Sequence, residues 1–176
     1  MANSKSLIAY FSRNGNNYVG GSIVNLPIGN TEVIAKKLQQ LTGSDLFQIK
    51  TVKSYPDDYT EATEVAQEEK KKNARPELTE KVKDMASYNV IFLGHPNWWG
   101  TMPMAVLTFL EAYDFSGKII VPFCTHEGSG MGNSEQTIKK TCPNAKVLPG
   151  LAIIGGSADR ADKDIKNWLK KLDLMS

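Results

Sequence analysis

The chain has 176 residues, 41% of them apolar and 23% charged, which is enough for one domain with a sizeable core. Its formal charge of +2 argues against a nucleic acid or an anionic membrane surface as partner. The longest apolar runs, at 7–11 and 90–93, fall far short of the roughly 20 residues that span a bilayer, so no membrane insertion is expected.

In chain order, five apolar, β-branched or aromatic runs read as strands: 6–11, 45–49, 89–94, 118–124 and 146–154. Helical patterns lie between them. Ile34, Leu38 and Leu41 recur at helical spacing in 31–42, with lysines and glutamines opposite. The segment 57–86 reads as two polar helices broken at Pro76, with "EEKKK" as a solvated face. Pro103 suits the first turn of a helix over 103–112 that carries Val106, Leu107 and Leu110. A weaker helix is expected at 133–141, and a last one at 159–173 presents Ile165, Trp168, Leu169 and Leu172 on one face. Alternation of this kind predicts an α/β sandwich of three layers, a five-stranded parallel sheet covered by helices on both faces. The run at 89–94 suits the middle of the sheet and the run at 45–50 an edge. Pro122 cannot donate to a ladder, so a bulge is expected near that strand's end. Residues 1–176 are read as one domain.

Cys124 and Cys142 form neither a CxxC nor a metal-type cluster. Reduced thiols in a cytoplasmic protein are the expectation. The N-terminus passes into a strand without a signal-peptide pattern.

In an open parallel sheet, ligands sit beyond the carboxyl ends of the strands. Three unusual loops fall there. The first, 12–30, ends in "GNT" at a helix start and is about three times the usual length of such a connection. Its hydroxyls (Ser12, Thr31), amides (Asn14, Asn30) and glycines (Gly15, Gly29) suit an anion at a helix N-terminus. Helix capping alone would explain one or two of these residues. The second, "HPNWWGTMP" at 95–103, holds two adjacent tryptophans that cannot both point inward, and one is expected to cover a planar ligand. The third, "THEGSGMGNS" at 125–134, has three glycines that let backbone approach a ligand, with His126 and Glu127 as its titratable groups. Other phosphate and catalytic signatures are missing: no GK[ST], no GxGxxG after the first strand, no GxSxG and no HExxH.

The motifs "YFSR.GN.Y" at 10–18, "GNTEV.A" at 29–35, "P.WWGT.P" at 96–103, "FLE.YDFSGK" at 109–118 and "PF.THEGSG" at 122–130 resemble the flavodoxin family over essentially the whole chain. The resemblance is to a bacterial flavodoxin-like subgroup, and it implies strand order 2-1-3-4-5 and non-covalently bound FMN. By motif, Ser12 and Thr31 match the hydroxyls on the 5′-phosphate, with Asn14, Asn17 and Asn30 as helpers. Whether Arg13 joins them is left open. Pro96, Asn97, Trp98, Trp99 and Gly100 match one flavin-flanking loop, and Thr125, His126, Glu127, Gly128 and Ser129 match the other. Relative to the contiguous flavodoxin phosphate loop, "SRNG" and "GNT" are separated here by "NNYVGGSIVNLPI". That insert reads as a small hairpin rising beside the cofactor, which makes the cradle one cut in two. The implied activity is electron transfer through FMN, with a redox protein or an NAD(P)H-linked donor as partner. The alternative is an NAD(P)H-dependent FMN reductase acting on quinones, nitro compounds or flavins, and a monomer or homodimer suits either. With Glu127 as the sole acid in the flavin loops, the reduced ring should be less disfavoured than in acidic flavodoxins.

Overall fold

The computed structural model describes residues 5–175. Strands β1 (Ser6–Tyr10), β4 (Asp45–Gln48), β5 (Val90–Pro96) and β6 (Ile119–His126) form a parallel sheet in the order β4-β1-β5-β6. Two short strands, β7 (Lys146–Val147) and β8 (Leu151–Ile154), both pair with β6 and together fill the fifth position. The order is thus the expected 2-1-3-4-5, with the last strand interrupted.

Pro122 explains the interruption. Along β6, Lys118 and Ile120 accept bonds from Lys146 and Leu148, whereas Ile119 donates to Asn89 on the opposite side. By that alternation, the position of Pro122 faces the fifth strand, and proline has no N–H to give it. The fifth strand leaves the ladder there, over Leu148, Pro149 and Gly150, and returns opposite Phe123. The indole of Trp168 donates to the Pro149 carbonyl (3.0 Å) and holds the detour. The effect of Pro122 therefore falls in mid-strand and on its neighbour, not in a bulge near the strand's end.

Alternation along the strands divides the interior in two. Leu7, Ala9, Phe11, Ile91, Leu93 and Ile120 face α3 (Met104–Glu111) and α4 (Ser134–Thr141). Ile8, Tyr10, Val90, Phe92, Val121 and Phe123 face α1 (Asn30–Thr42) and α5 (Asp162–Lys171). Each fully buried Phe, Leu or Ile among them contributes about 1.5–3 kcal/mol. Gly43, at φ 68°, closes α1 with a bond to the Gln39 carbonyl.

Two elements differ from expectation. The segment 57–86 holds one helix, α2 (Tyr59–Lys71), capped by the Asp58 carboxylate on the Glu61 N–H (2.9 Å). Beyond it no second α-helix forms, because the backbone of the segment bonds elsewhere, and only a 3₁₀ turn follows at Met85–Ser87. Val52 donates to Glu77, Thr79 to Lys50 and Val82 to the Tyr113 hydroxyl, while Leu78 and Val82 pack on the core. The last helix begins later than expected, after a 3₁₀ stretch, Gly155–Arg160. The insert does form a hairpin: β2 (Gly15–Val19) pairs antiparallel with β3 (Ser22–Leu26). Gly20 and Gly21, at φ 62° and 90°, supply the paired left-handed residues of its two-residue turn.

Candidate functional site

The three loops do meet beyond the carboxyl ends of β1, β5 and β6, where they line a cleft of about 420 Å³. That is within the usual range for a small-molecule site. At one end lies the N-terminus of α1. Its cap residue, Gly29, has no side chain to offer the helix, and Ser12 reaches across the sequence to do so: its Oγ accepts the Glu32 N–H at 3.1 Å. The two halves of the interrupted loop therefore touch. A Cβ on Gly29 would collide with Ser12 Oγ and stand 2.6 Å from the Arg13 carbonyl oxygen. Thr31 is buried, and its hydroxyl is paired with that of Thr125 at 2.7 Å, joining the first loop to the third. Asn30 and Asn17 complete this end. The Asn17 amide donates to the carbonyls of Arg13 and Gly15.

Arg13 lines the cleft but spends much of its guanidinium on backbone. It donates to the carbonyls of Asn16, Pro56 (2.9 Å) and Asp57 (2.7 Å). Burial lowers its pKa, and Asp57, Tyr59 and Asp58 oppose that. Its visible work is to staple the hairpin's base to the start of α2.

The other end is aromatic. Trp98 is wedged edge-on between Phe11 (5.2 Å) and Tyr55 (5.1 Å), which fixes its ring on the cleft wall. Tyr55 in turn donates to Glu69 at 2.6 Å, and burial raises the pKa of both groups. Trp99 turns the other way. It sits at φ 56°, is 47% exposed, and donates its indole N–H to the Thr63 carbonyl (3.1 Å). Lys70 donates to its carbonyl at 2.5 Å. As the paired tryptophans require, they point apart.

The second and third loops are knitted by backbone. Asn97 donates to the Gly130 carbonyl (2.8 Å) and accepts from the Gly100 N–H (3.0 Å), and Asn133 N–H donates to the Gly100 carbonyl (3.0 Å). Gly132, at φ 58°, lies so close that an added Cβ would be 2.7 Å from the Gly100 carbonyl carbon. His126 Nδ1 accepts the Gly128 N–H (2.9 Å), which leaves Nε2 to carry the ring proton when the ring is neutral. Glu127 reaches away from the aromatic end, and its carboxylate accepts the Gly20 N–H at the hairpin tip (2.7 Å).

Of the sixteen residues singled out by sequence, Ser12, Arg13, Asn17, Asn30, Thr31, Pro96, Asn97, Trp98, Trp99, Thr125, His126, Glu127 and Ser129 line the cleft. Asn14 is exposed and outside the lining, as are Gly100 and Gly128, which shape loops instead. Sequence reasoning passed over Tyr18, Gly155 and one face of α2: Tyr59, Ala62, Thr63 and Ala66. Their i, i+3, i+4, i+7 spacing was the available signal. It also passed over His95. That side chain is fully buried beneath the second loop, with Nδ1–H donating to the Pro96 carbonyl (3.0 Å) and Nε2 without a partner. Burial pushes its pKa down to about 4.

A family model described as Flavodoxin matches residues 5–172. Among solved structures, the chain is 30% identical to a provisionally assigned flavoprotein of Bacteroides eggerthii DSM 20697, covering 97% of this chain and 99% of that one at a TM-score of 0.75. A similarly assigned protein of Bacteroides uniformis ATCC 8492 is 28% identical, over 95% of this chain and 98% of that one, at a TM-score of 0.72. A flavoprotein of Lactobacillus acidophilus NCFM, solved in complex with FMN, is 20% identical over 89% and 97% of the two chains, with a TM-score of 0.66. No curated protein matches the chain. No helix among the described residues is long and apolar enough to cross a membrane.

Proposed function

Because the chain belongs to the flavodoxin family, we propose that it is a single-domain flavoprotein that holds FMN non-covalently in this cleft and transfers electrons through it. One observation carries the reading: Ser12 and Thr31, nineteen positions apart in sequence, both stand at the N-terminus of α1 in a cleft whose other end is aromatic. The donor set fits a phosphate monoester, with neutral hydroxyls and amides around a helix N-terminus. The wall fits a planar ring.

On this reading Ser12, Asn17, Asn30 and Thr31 hold the phosphate, and Arg13 positions the loop. Trp98 lies against the ring, held by Phe11 and Tyr55. Backbone of 126–129 meets the ring edge, kept in place by the bond between Gly128 and His126. The flavin itself supplies the one- and two-electron chemistry, and the protein sets access and electrostatics. Here the sole carboxylate of the flavin loops is engaged by the hairpin. Little like charge then opposes reduction, so the second reduction potential should lie above that of an acidic flavodoxin.

This weak acidity also favours a second reading, an NAD(P)H-dependent FMN reductase, because a shuttle docking on basic partners would need more negative charge near its flavin. The exposed Trp99 offers a platform for a nicotinamide at the rim. The first test is the absorption spectrum of the purified protein and its titration with FMN. A colourless protein that ignores micromolar FMN would end both readings. Anaerobic mixing of the loaded protein with NADPH then separates them: prompt bleaching marks the reductase, and no bleaching marks a carrier served by a separate donor.

A further inference from the structure

The hairpin does more than interrupt the phosphate loop. It follows Ser12 and Arg13, the first of which caps α1, and its tip reaches the third loop. Tyr18 meets Tyr59 at the start of α2, with ring centroids 6.0 Å apart. Gly20 N–H donates to Glu127 of the third loop at 2.7 Å. Val19 lies against the segment after β8: a Cβ on Gly156 would contact its Cγ1 at 3.5 Å. Next to it, Gly155 has no room for a side chain, because Glu127 Oε2 and Asn30 Nδ2 would stand 2.5 and 2.6 Å from a Cβ there. The hairpin thus stands across the mouth beyond the α1 N-terminus, touching α2, the third loop and the segment after β8.

We propose that this hairpin is the size filter of the site, admitting a flavin that ends in a phosphate monoester and rejecting one that continues through a diester, as a flavin dinucleotide does. The inference rests on the reading of the cleft as a flavin site. A monoester terminates at the helix N-terminus. A dinucleotide must carry its second phosphate and nucleoside past Tyr18, Tyr59 and Glu127, and the Glu127 carboxylate repels that second phosphate as well.

The test is a set of dissociation constants, read by flavin fluorescence on the apoprotein, for FMN, its 5′-phosphate methyl ester and FAD. The methyl ester loses the same ionisable oxygen as FAD but adds little bulk. For the natural chain, the ester should bind within about tenfold of FMN and FAD at least about a hundredfold more weakly. Replacing residues 18–23 by Gly-Gly keeps the Gly15–Leu26, Asn16–Asn25 and Asn17–Val24 pairs, leaves Asn17 in place, and removes the span. In that variant the FAD-to-FMN ratio should fall at least about tenfold. Gly20→Pro, which deletes the N–H given to Glu127 and cannot adopt the turn's φ of 62°, should move the ratio the same way. It decides the matter if the shortened chain does not fold.

Equal binding of FMN and FAD by the natural chain overturns the proposal. So does a methyl ester as poor as FAD, or an unchanged ratio in a folded variant that still takes FMN. Failure of the natural chain to bind any of the three would instead sink the flavin reading itself.

Discussion

At the aromatic end of the cleft, backbone packs on backbone: Gly132 lies against Gly100, Asn97 bridges two loops, and Trp98 is caged by Phe11 and Tyr55. The two loops stand on the carboxyl ends of β5 and β6, strands flanked on both sides within the sheet, and Phe11 follows β1 directly. At the anion end, one wall is a hairpin with largely exposed residues, attached at its tip by a hydrogen bond and a ring contact. The first end is continuous with the core, and the second is leaned against it. Damage to the first should therefore appear as lost stability. Damage to the second should appear in ligand kinetics, with the fold untouched.

The largest effect is expected from Gly132→Ala. The new methyl meets the Gly100 carbonyl, and the residue must hold φ 58°. Overpacking together with left-handed strain should cost about 3 kcal/mol of unfolding free energy by urea titration. A loss under about 1 kcal/mol would show that the two loops part easily, and the contrast between the ends would fail.

His95 sharpens the same point through pH. Its folded pKa of about 4 lies below the ordinary histidine value. Between the two values the unfolded chain therefore binds more protons, and stability is lost as pH falls. From pH 6.5 to 5, this group alone should remove about 1.6 kcal/mol. Subtracting the pH slope of His95→Leu isolates it from the carboxylates. Equal slopes in the two proteins would mean that His95 is not buried as a neutral ring.

Thr31 lies at the boundary between the two ends. Thr31→Val keeps shape but removes the hydroxyl that pairs with Thr125. FMN affinity should fall about tenfold to 150-fold, the worth of one hydrogen bond to a charged group. Thr31→Ser should retain most of it. If valine binds FMN as well as threonine does, the hydroxyl does not face the phosphate.

The sequence made the framework readable because buried parallel strands are apolar throughout and leave an unmistakable trace, as at 90–93. The hairpin was readable from paired glycines between β-branched residues. What escaped were features whose cause lies elsewhere in the chain. The gap between β7 and β8 is dictated by Pro122 on another strand. Beyond Tyr59, the inner face of α2 is made of alanine and threonine, too small and too weakly apolar to stand out against "EEKKK". His95 sits at the end of an apolar run, and only the folded structure shows that it is buried. The sequence left open whether Arg13 joins the phosphate ligands, and two of its partners are carbonyls at 56 and 57, which no local pattern could announce.

Tyr18→Ala should have the smallest effect on the fold and so gives the cleanest reading of the hairpin. The side chain is 42% exposed, and its one ring partner, Tyr59, also belongs to the cleft wall. An aromatic pair adds about 0.5–1.5 kcal/mol beyond its burial. Losing it need not unfold anything, because the hairpin can detach while the sheet beneath stays whole. The unfolding free energy should therefore change by less than about 0.5 kcal/mol. The pair's contribution should instead appear in release: with the hairpin less firmly seated, FMN dissociation should quicken by about threefold to tenfold, followed by stopped-flow fluorescence as flavin leaves. Were stability to fall by several kcal/mol with the off-rate unchanged, the hairpin would be part of the framework and the two ends of the cleft would be built alike.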